Sequence, residues 1–177
     1  MNEVRFNMFH AIEILTRTPA VLSAILVDLP VPWADNNEAP GTFSPKDVVA
    51  HLLYGEKTDW RVRAEIILAH GTSKTFEPFD PFGQMEESSH KTLRQLMKEF
   101  KKLRAKNIRW LKQVKFSQAD LDKKGMHPSL GEVTLRQLMS AWVVHDLTHL
   151  AQITRVMAKQ YRYEIGPWTE YFRILQF

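Results

Sequence analysis

Two histidines stand four residues apart in the apolar run AWVVHDLTHLAQI, residues 141–153. On a helix that spacing sets side chains one above the other, so His145 and His149 point the same way. They continue a stripe of Leu135, Leu138, Trp142 and Val156, whose steps of three and four mark an inward face. A second stretch repeats the pattern: its inward stripe reads Val48, His51 with Leu52, Gly55, Asp59, Val62 and Ile66. Both stripes are apolar at the ends and polar in the middle, and in a packed bundle the two interruptions can face one another. Either these are core histidines satisfied by their neighbours, or they hold a cation. Three neutral imidazoles with a fourth position open form a coordination set for catalytic zinc and related divalent ions. Such an ion keeps its full charge, lets a bound water lose a proton near pH ~7, and acidifies a thiol still more readily. The chemistry on offer is hydroxide or thiolate as a nucleophile.

The residues around the trio have narrower roles. HDLTH is not the zincin signature, which needs glutamate directly after the first histidine. Asp146 occupies that place and turns about 100° away from His145, which suits a structural residue or one that supports a ligand. Gln152, one turn beyond His149, either lines the pocket or pairs with a buried group. Asp59 is the candidate for accepting or relaying a proton through water. Gly55 costs about 1 kcal/mol of helix stability relative to alanine, and leaving room beside the His51 imidazole is a reason to tolerate it. His10, His70 and His90 are poorer ligands, and among the rest only His127, before Pro128, is placed to swing over a bundle mouth. No Gly-rich phosphate loop or Gly-x-Ser-x-Gly elbow is present, and with no cysteine the chain has no disulfide, thiolate ligand or cysteine nucleophile.

Four long helices are expected to position these groups. The first runs from about Glu3 to Leu29, with a kink or restart at Thr18-Pro19. After a loop dense in Pro, Asn and Gly, Ser44 caps the second, with Pro45 and Asp47 in its first turn, and it continues to about His70 before Gly71. A third, basic helix and a fourth, from about Thr134 to Gln160, follow long loops. The tail GPWTEYFRILQF spaces Trp168, Tyr171, Phe172 and Leu175 as a short helix, covering one end of the domain or meeting a second subunit. No sustained alternation suggests a sheet. One all-α domain over residues 1–177, a four-helix bundle, is the economical arrangement.

Composition narrows the partners. No stretch approaches the roughly 20 apolar residues of a membrane span, and MNEVRFNMFH lacks the head of a signal peptide, so a cytoplasmic protein is expected. From Ser88 to Lys115 there are ten Lys or Arg and one acid, Glu99; this segment carries +9 and the rest −5 of the net +4. Leu93, Leu96, Met97, Phe100, Leu103, Leu111 and Val114 form an apolar stripe opposite those charges, so a solvated helix face is expected. Anion or nucleic-acid binding by the basic helix, without catalysis, is the alternative.

The chain resembles the DinB/YfiT-like superfamily, in its DinB-like branch. The resemblance is carried by RTPAVLSAILVDLP, FSPKDVVAHLLYGEKTDW, GMHPSLGEVTLRQLMSAWVVHDLTHLAQI and YRYEIGPWTEYFRIL, nearly the whole chain. It implies a bundle with up-down-down-up helix order and frequent homodimers. It also implies a divalent metal, zinc or nickel foremost with manganese or iron as alternatives, held by His51, His145 and His149. Some such proteins are thiol S-transferases or isomerases that use a low-molecular-weight thiol; others act as metal-dependent hydrolases. A small-molecule substrate follows from either.

Overall fold

The computed structural model describes residues 5–80 and 82–176. Asn7 caps α1 (Met8–Leu26), its side chain accepting from the backbone N–H of Phe9 at 2.8 Å and of His10 at 3.3 Å. The start expected at Glu3 lies outside the described residues. α1 runs through Thr18-Pro19 as one helix, so no restart occurs there. Proline lacks the N–H that would bond the carbonyl four residues back, and a side chain from elsewhere takes that carbonyl: Arg104 donates to the Leu15 oxygen at 2.8 Å. By length and composition α1 qualifies as a membrane-spanning helix, contrary to the sequence expectation. Its Leu15, Leu22 and Leu26 are packed inside the protein instead.

The loop after α1 contains a short helix, α2 (Val31–Asp35), begun at a proline-rich turn. Ser44 and Asp47 form a capping box for α3 (Pro45–Thr58). The single helix expected from Ser44 to His70 is two, because the backbone breaks at Asp59 (φ −114°, ψ −81°) before α4 (Trp60–His70). The break rotates the inward face: Trp60, Arg63, Ala64 and Ile67 are buried, whereas Val62, expected inside, is 41% exposed. It also brings the Trp60 indole over Gly55, where a Cβ would sit 3.2 Å from the indole nitrogen. Gly55 therefore makes room for Trp60, not for an imidazole.

α5 (Gly83–Ser88) interrupts the second loop. Thr92 and Gln95 box the start of α6 (Leu93–Val114). The third loop is more ordered than its composition suggests. It holds α7 (Gln118–Leu121) and an antiparallel hairpin of β1 (Lys124–His127) and β2 (Gly131–Thr134), in the register Lys124 to Thr134 and His127 to Gly131. Strands of four residues are too short to show alternation, so the pairing was not readable from hydropathy. Thr134 and Gln137 box the start of α8 (Leu135–Lys159). The tail forms two 3-10 turns, Gly166–Tyr171 and Arg173–Leu175, instead of the expected helix. Gly166 adopts φ +56° with Pro167 next, and of the four residues expected on one face only Leu175 is buried.

The helix order follows from two apolar clusters. One joins Ile12 and Leu15 of α1, Trp60 and Ile67 of α4, Ile108 and Leu111 of α6, and Leu138 and Trp142 of α8. The other joins Leu22 and Leu26, Val48 and Leu52, Leu96 and Phe100, and Ile153. From the first cluster to the second, α1 and α8 run forwards while α3–α4 and α6 run backwards. That is an up-down-down-up bundle. Between the clusters lies a polar layer of Glu56, Arg104, Asn107 and Asp146, each at most 3% exposed.

Candidate metal centre

His51 enters from the first half of α3, among Val48, Val49 and Leu52, while His145 and His149 enter from the middle of α8. The three rings converge. His51 Nε2 lies 3.0 Å from His145 Nε2, which lies 3.1 Å from His149 Nε2, and the three possible ligand atoms all fall within 4.8 Å of one another. The rings are packed by aromatic neighbours: Phe43 and Phe79 beside His51, at 6.0 and 5.4 Å between centroids, and Trp60 edge-on to His145 at 5.0 Å.

Hydrogen-bond accounting decides what such a cluster can be. Gln152 Oε1 is 2.7 Å from His149 Nδ1; a carbonyl oxygen only accepts, so Nδ1 carries the proton and Nε2 presents a lone pair. The Nδ1 atoms of His51 and His145 are buried without a protein partner. Three neutral rings alone can at best share one His145 N–H between two lone pairs, whereas a cation among them takes a lone pair from each. Three nitrogens bound tetrahedrally at 2.0–2.1 Å would stand about 3.3 Å apart, within a few tenths of an ångström of the two contacts observed. The residues fit a small divalent ion.

Electrostatics agree. Burial, with the charge of His149 as a lesser cause, brings His51 down to about 4. Burial, then His149 and His51, brings His145 down to about 3. His149 is lowered too, by burial against the opposing hydrogen bond from Gln152. All three rings are neutral at pH 7 and offer lone pairs without first losing a proton.

The other candidates separate from this centre. Asp59, about two helical turns from His51, is ion-paired with Arg63 at 2.5 Å. Burial pushes its carboxyl up to about 6 against the pull of that arginine. Among the described residues no hydrogen bond joins it to an imidazole. His127 does not swing over the bundle: its Nδ1 accepts from the Ser129 and Leu130 N–H groups at 3.1 and 3.2 Å, closing the hairpin turn. His10, His70 and His90 are exposed. Asp146 is the structural residue, fully buried and held through both oxygens by Arg104 at 2.6 and 2.9 Å.

Glu56, Arg104 and Asn107 escaped the sequence reading, although the signal was present. Met97, Phe100, Arg104, Asn107 and Leu111 step by three and four and are all buried. Arg104 was counted with the surface charges; it is 1% exposed and belongs to no cationic face. Glu56 lies one turn beyond Leu52 on a buried face of α3. It accepts from Trp142 Nε1 at 3.0 Å and Asn107 Nδ2 at 3.0 Å and meets Arg104 at 2.8 Å.

Comparison with known proteins identifies the family and the fold. The family model of the DinB superfamily matches residues 14–153, a span that contains all three histidines. The fold is similar to that of YfiT from Bacillus subtilis, described as a probable metal-dependent hydrolase with an unusual four-helix bundle topology. That likeness has a TM-score of 0.76 at 19% identity and covers 90% of this chain and 91% of the other. No curated protein matches the chain in sequence.

Proposed function

The chain belongs to the DinB superfamily, and from that premise we propose that it is a metal-dependent enzyme acting on a small molecule through His51, His145 and His149. The observation that carries this reading is the convergence of three neutral Nε2 atoms from two helices. The description of the structurally similar YfiT as a probable metal-dependent hydrolase supports it. A divalent ion held by three neutral nitrogens retains its charge and lowers the pKa of a water or thiol beside it, supplying a nucleophile at neutral pH.

The chain's own residues do the rest. His51 fixes one side of the centre from α3, and the His145–His149 pair fixes the other from α8. Gln152 holds the proton of His149 on Nδ1, so the ring presents Nε2. Phe43, Phe79 and Trp60 wall the centre and restrict water around it. Phe79 also lines a cavity of about 350 Å³ with Tyr54, Val62, Ile66 and Pro78, room for an apolar portion of a substrate. The nucleophile in this reading is a low-molecular-weight thiol brought as co-substrate, with water as the alternative; the lack of cysteine in the chain agrees with either.

The test is a panel of physiological thiols against electrophiles, run beside ester and amide hydrolysis on zinc- and nickel-loaded protein, with His149→Ala as control. Thiol-dependent turnover lost in the variant is expected. Turnover without added thiol would replace transfer by hydrolysis, and equal activity in both proteins would end the enzymatic reading for those substrates.

A further inference from the structure

One side chain of the buried polar layer touches all three of the other bundle helices. Arg104, on α6, donates through one terminal nitrogen to the Leu15 carbonyl of α1 at 2.8 Å and to Asp146 Oδ2 of α8 at 2.6 Å. Through the other it donates to Asp146 Oδ1 at 2.9 Å and meets Glu56 Oε1 of α3 at 2.8 Å. Its guanidinium lies over the rings of Phe100 and Trp142, at 4.9 and 5.4 Å from their centroids. Both acidic partners are tied to ligands: Asp146 directly follows His145, and Glu56 lies five residues after His51 on the same helix. The Leu15 carbonyl is available because Pro19 has no N–H to occupy it, so the proline inside α1 and the arginine inside α6 are complementary.

We propose that Arg104 is the positioning residue of the tri-histidine centre. By locking Asp146 and Glu56 into one guanidinium it sets the height of α8 against α3, and hence the separation of His145 and His149 from His51. This inference rests on the reading of the three histidines as metal ligands. A planar fork is required, because a lysine ammonium is a single point that cannot hold both Asp146 oxygens while reaching Leu15 and Glu56. Neutral packing would fill the space without fixing the offset between the helices. Small errors in that offset are costly to a centre whose ligands come from two helices, since the tolerance for a productive geometry is about half an ångström.

Cobalt(II) is the probe, read by its visible absorption and by titration. Arg104→Lys keeps the charge and removes the fork. The expected result is a folded, cooperatively unfolding variant with cobalt affinity at least tenfold weaker and a changed visible band. Gly125→Ala, which disturbs the contact of the hairpin with Ile67 and Phe76, is the control for lost stability alone and should keep the wild-type band and affinity. If Arg104→Lys fails to fold, Asp146→Asn, which spoils half of the fork, is read in the same way. Wild-type cobalt affinity and spectrum in either folded variant would overturn the inference, as would an equal loss in Gly125→Ala. Wild-type protein that binds no cobalt, or His149→Ala that binds it as well as wild type, would instead remove the premise that these histidines are ligands.

Discussion

Gln152 determines which nitrogen of His149 faces the centre, by accepting the Nδ1 proton at 2.7 Å. Partners of this kind fix tautomer and ring orientation, and their loss costs about 10–100-fold in metal affinity. Gln152→Ala should therefore keep its helical content and lose metal to a competing chelator at roughly ten times lower chelator concentration; unchanged competition would show that the amide has no orienting role. At this scale the histidines were legible because an imidazole interrupts an apolar stripe conspicuously. Arg104 and Asn107 interrupt the stripe of α6 in the same way, but there the interruption is camouflaged by nine other Lys or Arg in residues 88–115. Charge counts along a segment do not separate a cation that faces water from one that faces two carboxylates. The buried pair has its own prediction. Trp142→Phe removes the indole N–H that Glu56 accepts at 3.0 Å and should destabilise the fold by about 1–3 kcal/mol, measured by urea unfolding, while Trp110→Phe, a partly buried residue, should cost less.

Element starts were more legible than element interiors. Ser44-Pro45-Lys46-Asp47 announces a helix start, and the structure makes each of its capping bonds. The break at Asp59 has no proline to mark it; it exists because Trp60 must turn back over Gly55, a contact between residues that no periodicity encodes. Adding a side chain there tests that account. Gly55→Leu should displace the Trp60 indole that packs on His145 and cost about 1–3 kcal/mol by overpacking, seen as a lower urea midpoint together with a shift in tryptophan fluorescence. A lower midpoint with unchanged fluorescence would mean that Trp60 does not respond to position 55. The hairpin makes the complementary case. A Cβ on Gly125 would lie 2.5 Å from Ile67 and 2.8 Å from Phe76, so β1 lies on α4 only through a bare backbone. Gly is a poor strand former in isolation, which is why the sequence reads as loop where the fold has a strand.

For the whole molecule, up-down-down-up order requires long crossings, and the loop after α2 is fastened to the far end of α8. Glu38 bonds Arg155 at 2.6 and 3.0 Å and meets Lys159 at 2.9 Å. The Arg155 hydrogen bond holds its carboxyl at about 2, below the ordinary 4.5. A folded-state value below the unfolded one means stability present in full above about 4.5 and lost as pH falls toward 2. The stability difference between wild type and Glu38→Gln should be constant from pH 5 to 8 and vanish near pH 2; a difference that grew on acidification would contradict the pairing. The bundle class and the helices that bring the three histidines together were legible because stripe periodicity survives any topology. The crossing order was not read from periodicity, because loops this long permit several, and the polar layer that joins the helices is made of contacts between residues far apart in sequence. The central claim, a metal centre shared by α3 and α8, is tested most directly by elemental analysis of protein prepared without a histidine tag. The account predicts one divalent ion per chain in the wild type and none in the His145→Ala/His149→Ala double variant. Stoichiometric metal surviving that double substitution would contradict it.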